Sequence, residues 1–338
     1  MPQIQILLSD CYDPYFNLAV EDAIFRNMDH SKQILFLWRN ADTVVIGKGQ
    51  NPWKECNTAK MEADSVKLAR RQTGGGAVFH DLGNTNFTFM GSEPGYNKSV
   101  STQIVLQALL KLGITGKATG RNDLVVEQNG EEKKFSGSAY RDLKDRGFHH
   151  GTLLLNANLS RLADYLNPDP KKLMSKGVRS VRSRVMNLAE LVPDIDHKMV
   201  CKAIQDEFRS YYGEMVDSKT INTDSQPDLD GFSDTYQRQK DWNWNFGKAL
   251  DFSHVLEERF QWGGVDVHLD VHRGMIRSAK IFSDSLFPEL MEAVASRLTS
   301  CRYEPQVLSA EVQRIADENQ NHQDELDELA HWLKSAIV

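Results

Sequence analysis

The tightest constraint on this chain lies in the run Arg70-Arg71-Gln72-Thr73-Gly74-Gly75-Gly76-Ala77-Val78-Phe79-His80-Asp81. Three successive glycines let the backbone take positive φ and approach a ligand with no Cβ in the way, so their N–H groups can converge on an anion. Two arginines precede them, and guanidinium forks bind phosphate or carboxylate oxygens bidentately. Alone, a glycine cluster most often marks a turn, with the arginines solvated. The flanks argue for more. Val66 to Ala69 and Ala77 to Phe79 read as strand ends and Asn86 to Met90 as another β-prone run, which sets the loop between buried strands.

With 338 residues the chain exceeds what a single core usually spans, and two domains are expected, 1–246 and 247–338. A net charge of -7 and a pI near 5.8 argue against general nucleic-acid or anionic-membrane binding. Cys11, Cys56, Cys201 and Cys301 are scattered, so neither a disulfide framework nor a zinc ribbon is supported, and reduced thiols are expected. No basic leader and no apolar run of the roughly 18 residues a membrane span needs are present, which reads as a cytoplasmic protein.

Taken in order, Ile4 to Leu8 reads as a strand, and Asp13-Pro14 as the cap and first residue of a helix that buries Phe16, Val20, Ala23 and Ile24. Its Glu21 and Asp22 are expected to face a polar neighbour or solvent. Ile34 to Trp38 and Thr43 to Gly47 read as strands about a hairpin turn at Asn40-Ala41-Asp42. Asn57 is expected to cap a short helix and Ser101 a longer one ending at Gly113, while Asp196 opens a helix with Met199, Val200, Ile204 and Phe208 on its apolar side. Asp217 to Gly231 is polar and reads as a long surface connection. Val265, Val267, Leu269 and Val271 alternate as in a half-buried strand, and helices follow from Pro288. The basic stretch from Lys171 to Arg184 reads either as a solvated loop or as a mobile loop that meets phosphates or an acidic protein.

Asn129-Gly130 is the strongest short-range signal for a two-residue hairpin turn. Counting back from it pairs Val125 with Lys134 and Asp123 with Ser136, so Asp123, Lys134 and Ser136 are predicted to share one face. A carboxylate and an ammonium then act as a unit. No Walker loop, Rossmann fingerprint or H-E-x-x-H metal motif is present. His149 and His150 are adjacent, so on a strand they point to opposite faces and one metal ion cannot easily take both.

Arg70-Arg71-x-Thr73-Gly74-Gly75-Gly76-x-Val78-x-His80-Asp81, then Arg121-Asn122-Asp123-Leu124, Lys134-x-Ser136-Gly137-x-Ala139 and His149-His150-Gly151-Thr152-Leu153 resemble, in order, the motifs of lipoate-protein ligases. The resemblance runs from Asp10 through Trp244-Phe246-Gly247, and the remainder is similar to the accessory C-terminal domain of the two-domain bacterial enzymes. Thr73 stands where the family often has serine; it keeps the hydroxyl.

That resemblance implies an α/β (α+β) fold: a catalytic domain with a mixed sheet flanked by helices, and a small α+β C-terminal domain. It implies ATP and Mg2+ as cofactors and lipoate, or octanoate, as substrate. The acceptors it implies are apo lipoyl domains of 2-oxoacid dehydrogenase complexes and the glycine cleavage H protein, met by a monomer. Lys134 is implied as catalytic residue, bridging the lipoate carboxylate and the α-phosphate. Arg71, Gly76, Ala77, Val78, Phe79 and Lys134 would hold the nucleotide. Arg70, Thr73, Gly74, Gly75, His80, Ser136, Arg141 and His150 would hold the acyl substrate, and Asp123 would orient Lys134 or ligate the metal. The rival readings are an octanoyltransferase, which needs a cysteine nucleophile that no position near Lys134 supplies, a biotin-protein ligase, whose glycine motif differs, and a non-catalytic lipoate carrier.

Overall fold

In a computed structural model, residues 3–92, 96–120, 122–167, 185–223, 229–246, 254–272 and 274–337 are described. Arg121, Pro168, the basic stretch from Lys171 to Arg184, Gly247, Phe252 and Arg273 lie outside the described residues. The chain divides into two compact units. Met1–Ile46, Pro52–Gln72 and Ala77–Asn245 form the first, and Gly47–Asn51, Thr73–Gly76 and Phe246–Val338 the second.

Eight strands build the main sheet of the first unit: β1 (Gln3–Ser9), β2 (Lys32–Trp38), β6 (Asn84–Ser92), β7 (Gly116–Thr119), β8 (Asp123–Gln128), β9 (Glu131–Asp142), β10 (Arg146–Leu154) and β11 (Ser218–Ile221). Their order is β11-β1-β2-β6-β10-β9-β8-β7. β1 runs parallel to both its neighbours and the remaining pairs are antiparallel. A second small sheet places β3 (Thr43–Ile46) between β4 (Lys67–Arg70) and β5 (Val78–His80).

Alternation in β2 explains why the main sheet is covered twice. Leu35 and Leu37 join the core under the helices Lys98–Lys111 and His197–Tyr212, whereas Ile34, Phe36 and Trp38 join the core under Pro14–Asn27 and Phe232–Lys240. A strand buried on both faces needs an unbroken apolar run, and Ile34 to Trp38 supplies one. Asp13 caps the first helix through Tyr15 N–H, with Pro14 at its first position.

Four local expectations are corrected. β2 and β3 do not form a hairpin: Ala41 N–H is donated to Tyr12 and the Asp42 carbonyl accepts from Lys67, so the connecting residues are used by other segments. Asn97, not Ser101, caps the helix Lys98–Lys111, because its side chain reaches Ser99 N–H first, at 2.8 Å. The polar stretch after Asp217 contains a strand, β11, whose Ile221 is buried while the strand extends the sheet beside β1. Met199 lies 40% exposed, off the apolar side of its helix.

The second unit has its own core. Strands β12 (His254–Arg259), β13 (Gly264–His272) and β14 (Met275–Ser283) pair antiparallel, and Val265, Val267 and Leu269 project from β13 onto the helices Pro288–Leu298, Pro305–Glu318 and Gln323–Ala336. Within this unit the glycine loop packs on the segment after β14. Gly75, at φ 90°, donates its N–H to the Ser285 carbonyl at 2.9 Å, and a Cβ on Gly74 would stand 2.1 Å from that oxygen. Among the described residues no helix is long and apolar enough to cross a membrane.

Candidate active site

The β8–β9 hairpin sets the first part of the site. Asn129 and Gly130 both take positive φ, 53° and 77°, as the tight turn requires, and Gln128 pairs with Glu131 and Val125 with Lys134 as the sequence predicts. Beyond that point the register shifts. Leu124 pairs with Ser136 and Asp123 with Gly137, leaving Phe135 as an extra residue that fills the core with no exposure. The bulge corrects the predicted common face: Ser136 turns inward with Leu124, and its hydroxyl has no partner among the described residues. Asp123 and Lys134 keep theirs. Lys134 Nζ lies 2.6 Å from Asp123 Oδ1, and both side chains retain some access to solvent. Gly137 makes room for this pair, since a Cβ there would stand 3.0 Å from Lys134 Nζ. Met186 N–H, donated to the Lys134 carbonyl at 2.9 Å, fixes the strand from the other side.

A second, buried cluster forms where the first helix crosses the sheet. Glu21 accepts Thr88 Oγ1–H at 2.7 Å, Thr88 accepts Trp38 Nε1–H at 3.1 Å, and His150 Nδ1 sits 2.8 Å from Glu21 Oε1. A carboxylate can only accept here, so His150 donates from Nδ1. His149 points the other way, stacked on Tyr140 and 2.6 Å from Ser101 Oγ, as adjacent strand residues must. Asp22, 2% exposed, gathers three arginines: Arg26 Nε at 2.7 Å, Arg238 Nη2 at 2.6 Å and Arg141 Nη1 at 3.4 Å. Arg141 also lies over the Phe25 ring, which fixes its plane.

The two arginines of the glycine motif separate. Arg71 is buried, donates from Nη1 to the Val45 carbonyl at 3.1 Å, and has its pKa pushed down to about 10 by burial against the opposing attraction of Glu21. Arg70, also lowered to about 10 by burial, clamps the short helix Trp242–Asn245: Nε donates to the Trp244 carbonyl at 2.8 Å and Nη2 to the Asn245 carbonyl at 2.8 Å. Trp244 returns its indole N–H to the Arg70 carbonyl at 3.0 Å. His80 lies on the buried side of β5, its pKa driven down to about 3 by burial and then by the charges of Arg71 and His150. Ala77 and Val78 are half-buried at the start of β5, while Phe79 turns to Tyr165, centroids 5.3 Å apart.

The first unit thus brings together Lys134 with Asp123, and Arg71 and His80 with His150. Thr73, Gly74, Gly75 and Gly76 group with the second unit. The sequence pattern gives Thr88 and Trp38 only strand positions and Asn40 only a turn position, with no place in the site. Among the described residues no three His, Cys, Asp or Glu side chains gather as a metal cage.

The fold defines an α/β protein: a mixed sheet flanked by helices that carries a half-buried lysine on a hairpin, and a separate small α+β unit. The chain belongs to the lipoate-protein ligase family: the lipoyl protein ligase A/B catalytic domain matches residues 13–209, and the bacterial lipoate protein ligase C-terminus matches residues 249–333. P. falciparum LipL1, solved in complex with lipoate, is similar at 32% identity and TM-score 0.85, over 98% of this chain and 99% of that one. The bipartite lipoate protein ligase of Thermoplasma acidophilum, described with its E2 lipoyl domain, matches at 26% identity and TM-score 0.63, over 75% of this chain and 100% of that one. A lipoate-protein ligase A bound with ATP matches at 26% and 0.60, over 73% and 99%.

Proposed function

We infer that this ligase activates lipoate with ATP and then transfers the lipoyl group to a lysine of an acceptor lipoyl domain. A lipoate carboxylate oxygen attacks the α-phosphorus, the bond to the leaving phosphate breaks, and lipoyl-AMP and pyrophosphate form. The acceptor amine then attacks the acyl carbon, AMP leaves, and the amine gives up a proton.

One observation supports this most: the Lys134 ammonium held 2.6 Å from Asp123 on the β8–β9 hairpin. Two anions must approach for the first step, and a fixed cation between them lowers the barrier without covalent participation. Lys134 is the residue for that task, with Arg71 and the Gly74 to Phe79 backbone holding the nucleotide. Asp123 fits Mg2+ as one carboxylate ligand, the usual share when phosphates and waters complete the shell. The ion's contribution is to neutralise phosphate charge.

His80, His150, Arg141, Ser136, Arg70, Thr73, Gly74 and Gly75 are proposed for the acyl substrate, Arg70 acting through the helix it clamps. Residues 1–246 are assigned to catalysis and 247–338 to an accessory domain. The acceptors proposed are 2-oxoacid dehydrogenase E2 lipoyl domains and the glycine cleavage H protein, met by a monomer in the cytoplasm. A cysteine-dependent acyl transfer is disfavoured, because all four thiols are raised by burial, Cys56 and Cys201 to about 12. Incubation with ATP, lipoate and an apo lipoyl domain is expected to add one lipoyl mass to that domain; addition from an acyl-carrier donor without ATP contradicts the reading.

A further inference from the structure

A chain of buried amides ends on His80. Ser9 Oγ donates to Asn17 Oδ1 at 2.5 Å, so the Asn17 amide nitrogen points the other way, toward the carbonyls of Cys11 at 2.8 Å and Arg39 at 3.1 Å. That nitrogen also meets Asn40 Oδ1 at 3.0 Å. Two amide nitrogens cannot face each other, so Asn40 turns its oxygen to Asn17 and its own N–H to His80 Nδ1, 3.2 Å away. His80 Nδ1 therefore accepts. In a neutral ring the proton must then sit on Nε2, because the bond made by one nitrogen sets the state of the other.

Nε2–H is buried and has no partner among the described residues, on a side chain only 3% exposed. A donor left unsatisfied in an apolar interior is costly, and the same donor awaiting a ligand is a recognition element. The ring feels the charges of Arg71 and His150 and packs its edge on Trp38, which places it with the residues assigned to the acyl acid.

We propose that Asn40 is a positioning residue that locks His80 as an Nε2–H donor toward a hydrogen-bond acceptor atom of the bound acyl acid. This rests on the acyl-acid reading above. The acceptor is a carboxylate oxygen or a dithiolane sulfur, two sources with one shared chemistry. A site built to donate a hydrogen bond discriminates strongly against a ligand that lacks the acceptor. If the sulfur is met, this one proton separates lipoate from octanoate.

The test uses the full chain labelled with 15N-histidine at pH 8, together with calorimetric titration of lipoate and of octanoate. In the wild type, His80 is expected as the Nε2–H tautomer. Asn40→Asp keeps the shape but accepts from Nδ1, so the ring is expected to switch to the Nδ1–H form and lipoate affinity to fall about tenfold or more. An equal loss for octanoate assigns the carboxylate; a loss confined to lipoate assigns the sulfur. Either supports the proposal. A wild-type Nδ1–H tautomer overturns it, and so does unchanged affinity for both acids after the switch. The wild-type spectrum decides the first point even where the variant fails to fold. Absence of lipoate binding by the wild type is a different outcome, and it overturns the functional reading itself.

Discussion

Lys134 and Asp123 lie on the two adjacent strands of one hairpin, joined at 2.6 Å across its face although they stand eleven positions apart in the chain. Their pairing is local in topology and does not support the core, so its loss should affect chemistry before folding. Lys134→Ala is expected to slow lipoate-dependent adenylation by about 10² to 10³, the range for removing one charge-stabilising donor, with an unchanged melting temperature. Asp123→Asn is expected to shift the Mg2+ concentration dependence of the same step. A Lys134→Ala protein of normal rate removes this lysine from the mechanism.

Gly137 gives a gentler test. A Cβ would stand 3.0 Å from Lys134 Nζ and 3.3 Å from Cε, contacts that the flexible lysine relieves by moving. Gly137→Ala should therefore displace the ammonium and leave the strand intact. The expected result is adenylation slowed about tenfold, as small misplacements of a catalytic group do, with unfolding by urea unaltered. A full rate with the same stability shows that the ammonium's position is uncritical.

Asp22 is expected to be structural. Its carboxylate, 2% exposed, accepts from Arg26, Arg141 and Arg238, whose side chains are 47%, 16% and 30% exposed. Asp22→Ala should cost about 1.5–3 kcal/mol, the range for losing hydrogen bonds to charged groups, because the guanidinium groups left behind reach water. Urea unfolding measures it, and a loss below about 1 kcal/mol contradicts the role given to the cluster.

Acid should destabilise the protein through three rings. Burial, then neighbouring charge, lowers His80 and His149 from 6.5 to about 3 and His197 to about 4. Between those values the unfolded chain binds protons that the folded chain refuses, so stability is complete above about pH 6.5 and falls as pH drops toward 3. Urea midpoints at pH 7.5 and 5 should show the fall. His149→Gln removes one of the three protons and is expected to flatten the dependence, and an identical slope in the variant argues that His149 is not a source of it.

What could be read from the sequence follows from how far each interaction reaches along the chain. The hairpin face carrying Asp123 and Lys134 is set by the Asn129-Gly130 turn a few residues away, so counting found it. The bulge at Phe135 was invisible, because it answers to the core that Phe135 fills, and it moved Ser136 to the other face. Glu21 and Asp22 were ambiguous since their partners His150, Arg141 and Arg238 come from strands and a helix far along the chain. Asn40 looked like a turn residue by local propensity, yet its amide is used by Asn17 and His80. Arg70 looked like a ligand contact, and its clamp on Trp244 and Asn245 depends on a helix whose approach no local pattern encodes.

Adenylation of lipoate by this chain carries the proposed function. Its most direct test is pyrophosphate release from ATP and Mg2+ by purified protein, with and without lipoate and with no acceptor domain present. Lipoate-dependent release, lost in Lys134→Ala, is the predicted result. No release while lipoate still binds contradicts the claim and leaves a carrier or an ATP-independent transferase.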